Sequence, residues 1–455
     1  MTKWQESDPQ WAWQTYEPST EQPWTRSMAA HLYRRAGFGA SSKELDDAVA
    51  AGPQESVSRM LTGSADGKAF EQQADELAQR VLATNDSKNL SASWLYRILN
   101  TPQPLIEKLT LFWHGHFATS ADKVADPALM FNQNQLFRRL ALGDFSKLAL
   151  EVSRDPAMLV YLDSATNRKA HPNENYAREL MELFCMGEGN YSEKDVQELA
   201  RCFTGWEIRR GQFRFNRFQH DEGAKSILGK KGSFGGEQGV DVVVDSASTP
   251  RFLTGKLFRY FFADEPVPSE ALLAPLVSEF QKSGLKIQVL VERMLRSRLF
   301  FSSGIIGQKI KSPVEMLVGF LKGLDGSTNA YNLASDLAEL GHALFYPPNV
   351  KGWDGGRAWI NSSTLLSRAN AIHRLLHDAN TRFAGQSIGE YLQRLRSQDA
   401  TALVDRLAEL FLALRLSPAI RESLTAIVAG WPPPADRRWS ELVHTFSTLA
   451  EFHFA

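Results

Sequence analysis

The sequence predicts a mainly α fold, a large multi-helical domain with a small β-hairpin element. Three observations predict it. Apolar residues recur at helical spacing along most of the chain. The one clear strand signal is QFRFNRFQ at Gln212–Gln219, where aromatic and polar residues alternate. No internal repeat and no low-complexity tract interrupts the pattern.

The chain has 455 residues, enough to bury a substantial core. Its formal net charge is -1, so no global positive field draws it to nucleic acid. No apolar run reaches the roughly 20 residues of a membrane span. The start is Trp-rich and acidic and lacks the basic-then-apolar order of a secretory signal, which predicts a cytoplasmic location. The two cysteines, Cys185 and Cys202, fall on neighbouring predicted helices. A disulfide between them is conceivable, but buried free thiols suit a long chain so poor in cysteine.

Residues 1–25 form a Trp- and Pro-rich arm, extended over the surface and anchored by Trp4, Trp11, Trp13 and Trp24. Residues 26–378 make the helical core domain. Short amphipathic helices are predicted over Ser42–Ala51, Pro53–Leu61, Phe70–Thr84, Leu90–Leu99 and Leu105–His114. Others follow within Pro127–Leu142 and over Asp144–Val152 and Pro156–Leu162. Val240–Asp245 is a β-branched run expected to pair with the aromatic strand, with a Gly- and Lys-rich loop between. Helices resume at Pro250–Phe262, Glu270–Ser283, Ile287–Ser297, Pro313–Leu324 and Ala330–Leu344. Pro347–Trp359 is a long Gly/Pro loop, and Ser362–His377 a helix. Residues 379–455 form a small C-terminal helical cap, broken by WPPPADRR at Trp431–Arg438.

The segment His171–Trp206, HPNENYARELMELFCMGEGNYSEKDVQELARCFTGW, carries the densest chemistry. Pro172 suits a first helical turn, and Glu174 there meets the positive end of the dipole. Arg178 lies four residues on and can pair with it. Tyr176, Leu180, Leu183 and Phe184 make the apolar stripe, and Gly187 and Gly189 stop the helix. Ser192 with Asp195 resembles a capping box for the next helix. Glu179 and Glu182 are neighbours on one face and repel each other. They are either a solvated face or a carboxylate pair turned into a site.

Three other places concentrate reactive groups. His114-Gly115-His116 has a recurrent metal-ligand spacing. The two rings diverge inside a helix, but they converge if the helix stops at Gly115. His220-Asp221, with Lys225 nearby, follows the aromatic strand, where a strand end presents side chains to a cleft. The loop PPNVKGWDGGRAWIN offers Lys351, Trp353, Asp354, Arg357 and Trp359. Trp faces stack on sugar rings, and the charged groups bond hydroxyls or anions.

Seven motifs, HLYRRAGFGAS, FWHGHFATS, DPAMLVYLD, PNENYARELMELF, YSEKDVQELARCFTGW, HDEGAK and PPNVKGWDGG, occur in that order between His31 and Gly356. Through them the chain resembles a large bacterial family catalogued only as a domain of unknown function, number eighteen hundred. The resemblance covers roughly Ala30–Ala371. It implies no secure activity. Its members often look exported and lie beside a sulfatase-like family, which implies a sulfatase-like partner protein.

These residues support three functional expectations. The first is a metal-dependent hydrolase or lyase acting on a saccharide or polyol. His114, His116, Glu179 and Asp221 would hold a divalent cation. His220 and Glu182 would move protons with Arg178 beside them, and Lys351, Trp353, Asp354, Arg357 and Trp359 would bind substrate. The second is a haem protein. NENYARELMELF…SEKDVQELARCF loosely resembles the segment after the distal histidine of animal-type haem peroxidases. That resemblance implies His114 or His116 as distal and His342 as proximal residue, with Asn173, Glu174 and Arg178 lining the pocket. The third is a non-catalytic assembly partner of the sulfatase-like protein.

Overall fold

Caps and glycines set the helices locally. Ser41 and Glu44 form a reciprocal capping box at the start of Ser42–Ala51. Gly52, at φ 83, ends that helix and lets Pro53 open Pro53–Thr62. The same box recurs at Ser192 with Asp195, which starts Glu193–Cys202, and at Ser312 with Glu315, which starts Pro313–Gly323. The computed structural model describes residues 3–63, 67–395, 400–430 and 436–455. Among these are 24 α-helices and three two-stranded antiparallel sheets, so the fold is mainly α with small β hairpins.

Most predicted helices stand where expected, and Ser42–Ala51 and Ser362–His377 have the expected bounds. The strand region differs. Gln212–Phe215 pairs with Trp206–Arg209, and its turn places Arg210 and Gly211 at positive φ. Val240–Asp245 is not its partner. Residues 240–244 belong to the helix Gly236–Val244, with Asp245 at its C-cap, and Val240, Val242, Val243 and Val244 are all buried. Burial against the helix Phe145–Arg154 overrides their strand preference. The Gly- and Lys-rich stretch is a second hairpin, Lys225–Ile227 with Lys230–Gly232, rather than a plain loop. Ala330–Glu339 ends before the expected Leu344, and Gly341 follows at φ 79.

The arm is not extended. It folds into Lys3–Glu6 and Pro9–Ala12, and Trp13 donates its indole N–H to the Leu272 carbonyl at 2.6 Å. Trp4 and Trp13 are buried and Trp24 packs on the same core, whereas Trp11 is exposed and anchors nothing. Cys185 and Cys202 are buried free thiols. Part of the predicted break at Trp431–Arg438 lies outside the described residues; the helix Asp436–Thr448 follows it.

Two apolar cores organise the chain. One joins the arm to the helices Phe145–Arg154, Ser248–Phe261 and Ile287–Leu295. The other joins Ser87–Asn100, Pro313–Gly323, Ser362–His377 and Ala400–Phe411. The helix Pro104–His116 runs between them. Its Phe112 belongs to the first core and its Leu111 to the second.

Candidate functional site

The helix Pro104–His116 does not stop at Gly115, so its two histidines diverge. His114 turns into an aromatic nest of Trp94, Phe345 and Trp353. Its Nε2 accepts the backbone N–H of Phe345 at 3.1 Å. Burial, and then the nearby His342, hold its pKa down at about 3, so the ring is neutral. His116 turns the other way. Its Nε2 bonds the Phe184 carbonyl at 2.9 Å, so Nε2 carries the proton and Nδ1 the lone pair.

Phe184 lies in a π-helical turn, Leu180–Cys185, which continues the short helix Asn175–Glu179. The Met186 N–H reaches back five residues to the Met181 carbonyl. Gly187, at φ 80, then turns the chain away, and the last carbonyls lack helical partners. Side chains take them. Asn190 donates to the Met186 carbonyl at 2.9 Å, His116 bonds that of Phe184, and Lys256 donates to that of Leu183 at 3.0 Å.

Lys256 stands on the helix Ser248–Phe261, and its Nζ also lies 3.3 Å from His116 Nδ1. No carboxylate pairs with it among the described residues. Burial, and then the Arg259 charge, pull its amine down to about 8. A neutral amine has two N–H donors and one lone pair. The Leu183 carbonyl and His116 Nδ1 accept both donors, so the lone pair takes the remaining tetrahedral position.

The loop after Pro347 closes over this corner. Gly352, at φ 80, sits so close to Gly115 that an added Cβ would lie 2.2 Å from the Gly115 oxygen. That approach lays Trp353 against His114 and His342, with ring centroids 5.5 and 4.7 Å away. Trp359 stacks on His342 at 4.9 Å. Trp353 Nε1 and His342 Nδ1 are buried without a hydrogen-bond partner among the described residues. Burial holds the His342 ring neutral, at about 3.

A cleft of about 310 Å³ opens between this loop and the helix Ser248–Phe261. His116, Lys256, Tyr260, His342, Trp353 and Trp359 border it. Its polar wall is Glu315, paired with Lys108 behind the lining at 2.5 Å, and the ion pair of Lys309 with Asp264 at 2.7 Å. Burial pushes the Glu315 carboxyl up, but Lys108 and Lys309 outweigh it and hold the group at about 2. With those pairs matched, the remaining lining charges are Lys256, Arg259 and Lys351 against Asp354. The free charge of the cleft is cationic.

A model of the family described as protein of unknown function DUF1800 matches residues 31–454. The chain belongs to the DUF1800 family. No curated protein and no solved structure matches it. The DUF1800 match runs through most of residues 379–455, whose helices share the second core with Pro313–Gly323.

The structure brings together some of the residues that the DUF1800 motifs single out. His116, Lys351, Trp353, Asp354 and Trp359 border the cleft. His114 lies behind Trp353. Arg357 is at the outer edge and pairs with Glu265 at 3.1 Å. Glu179 is half-buried, and its carboxyl is raised by burial and by Glu182, with Lys351 opposing. That is the repulsion expected of the pair. Glu182 accepts the Tyr191 hydroxyl at 2.9 Å, and Arg178 is bound to Glu174 and Glu193 on the surface.

His220 and Asp221 belong to another corner. His220 Nδ1 meets the Thr204 carbonyl at 2.8 Å. Asp221 is clamped by Arg201 at 2.7 and 3.2 Å, and by the Gly223 N–H. The Arg201 hydrogen bond holds its carboxyl below the usual range despite partial burial. So His114, His116, Glu179 and Asp221 do not converge. Among the described residues no group of three or more such side chains comes together to hold a cation. His114 and His342, the residues of the haem expectation, each lie against the Trp353 ring.

Sequence reasoning missed Lys256, Arg259, Tyr260 and the two ion pairs. No local signal marked Lys256, which flanks the buried stripe of Leu253, Leu257 and Phe261 rather than sitting on it.

Proposed function

We propose that the cleft binds an anionic, hydroxylated ring compound, by class an acidic saccharide, and that Lys256 removes a proton α to its carboxylate. The observation that carries this reading is the setting of Lys256, a half-buried amine without a carboxylate partner, both of whose neutral N–H donors already have acceptors. Trp353 and Trp359 supply flat faces for the ring. Arg259 and Lys351 supply the charge that a carboxylate needs as it takes on enolate character.

The reaction is a β-elimination. Lys256 takes the α proton, the C–H electron pair becomes the new C=C bond, and the β C–O bond breaks. The departing oxygen then takes a proton from water, and the Lys256 ammonium gives its proton to the hydroxide so formed, which restores the base. This keeps the saccharide lyase expected from the motifs and gives the charge-stabilising role of a cation to Arg259 and Lys351. Incubation with oligouronides, followed by the short-wavelength ultraviolet absorbance of the unsaturated carboxylate product, tests it. The expected result is turnover that Lys256→Met abolishes while thermal unfolding stays cooperative. Full turnover in that variant, or no uronate binding by ligand-observed NMR, overturns the reading.

A second reading, docking of a sulfatase-like partner, draws support from a different surface. Phe218 is 86% exposed and Phe215 46%, and both flank the His220 corner. Exposed aromatics on a motif-bearing segment suit an interface. Loss of copurification with that partner in Phe218→Ser would support it.

A further inference from the structure

The cleft does not end at Lys256. A groove of about 890 Å³ continues from it, and Lys256, Arg259 and Asp264 border both spaces. The cleft lies near the lower end of the volumes that enclose small ligands and the groove near the upper end. The groove combines apolar faces, Phe252 and Val267, with neutral hydrogen-bonding groups, Asn190, Ser278 and Gln281, one outer cation, Arg251, and the carboxylates Glu188, Glu265 and Glu270. Val267 is 85% exposed, an apolar side chain held in solvent at the rim. Arg251 has only a loose, exposed ion pair with Glu270 at 3.9 Å.

We infer that the groove is a second subsite that holds the leaving half of the ligand, so that the substrate is a chain of linked sugar residues rather than a single one. This rests on the reading of the cleft given above. In a β-elimination the leaving oxygen is one carbon from the carbon that loses its proton. With Lys256 at the junction of the two spaces, the ring that loses the proton stacks on Trp353 and Trp359, and the group beyond the breaking C–O bond passes into the groove. That group is a second sugar. Its C–H faces match Phe252 and Val267, and its hydroxyls match Asn190, Ser278, Gln281 and the Glu188 carboxylate.

Calorimetric binding of galacturonate and of tri-galacturonate to the full chain tests this, with Lys256→Met present throughout to prevent turnover. The expected result is that the trimer binds roughly tenfold tighter or more, since each good added contact is worth a few-fold in affinity. Val267→Asp, at an exposed position, should remove most of that gain and leave monomer affinity unchanged. Equal affinity for monomer and trimer overturns the second subsite and leaves the cleft reading standing. No binding of either overturns both.

Discussion

Gly352 and Gly115 meet backbone to backbone, close enough that a methyl group on Gly352 would stand 2.2 Å from the Gly115 oxygen. Two of the sequence motifs, the His-Gly-His turn of helix and the Gly/Trp loop, are thereby locked together. Gly352→Ala meets both a clash and a φ of 80 that side chains rarely adopt. The expected cost is about 2–4 kcal/mol, measured by urea unfolding. Because the loop carries Trp353, uronate affinity should fall in parallel.

The Lys256 amine is lowered to about 8, and the neutral form is the base. Elimination should rise about tenfold per pH unit below that value and level off above it. Lys256→Arg should lose turnover while retaining binding. A stability trend accompanies this. The folded state holds fewer protons on this group than the unfolded state between about 8 and the ordinary lysine value of 10.5, so stability rises with pH across that window. Rate profiles and thermal melts over the same pH range check both.

Lys108 and Glu315 are buried together beside the cleft. Glu315→Gln leaves the ammonium without its counter-charge and should cost about 3–5 kcal/mol in chemical denaturation. In the intact protein the Glu315 carboxyl is depressed to about 2. Its stabilisation is full above the ordinary carboxylate pKa of 4.5 and is lost as pH falls through about 2. The unfolding free energy of Glu315→Gln should therefore converge on that of the parent near the acid end of that window.

Asp221 is committed to Arg201, and His116 has both ring nitrogens engaged. Asp221→Asn should lower the melting temperature by a few degrees and leave uronate affinity unchanged. Elemental analysis of the natively purified protein should show no stoichiometric divalent metal. Metal at one equivalent, lost in Asp221→Asn, would return that residue to a cation site.

Local features of the fold were legible because their causes are local. Ser41 with Glu44 and Ser192 with Asp195 each specify a helix start within four residues. Val240–Asp245 misled because β-branched residues were read by propensity, while burial on one helix face decides their state. The π turn at Leu180–Cys185 has no composition signal at all. In the site, the aromatic loop residues could be read from their own chemistry, and Trp353 and Trp359 do border the cleft. Lys256 could not, because its meaning comes from His116, 140 residues away in sequence. The residues of the expected cation set lie apart for the same reason in reverse. Its members share motifs but not a corner of the molecule, and Gly115 continues a helix instead of ending it.

The helix Pro104–His116 sends Leu111 into one core and Phe112 into the other, and both residues line the cleft. The cleft is thus a seam between two packed bodies rather than a dent in one. A ligand seated there braces both walls at once. Occupancy should slow amide exchange in Ile287–Leu295 and in Ala400–Phe411, helices of opposite cores, neither of which borders the cleft. Bound substrate would then be felt as cohesion of the whole chain.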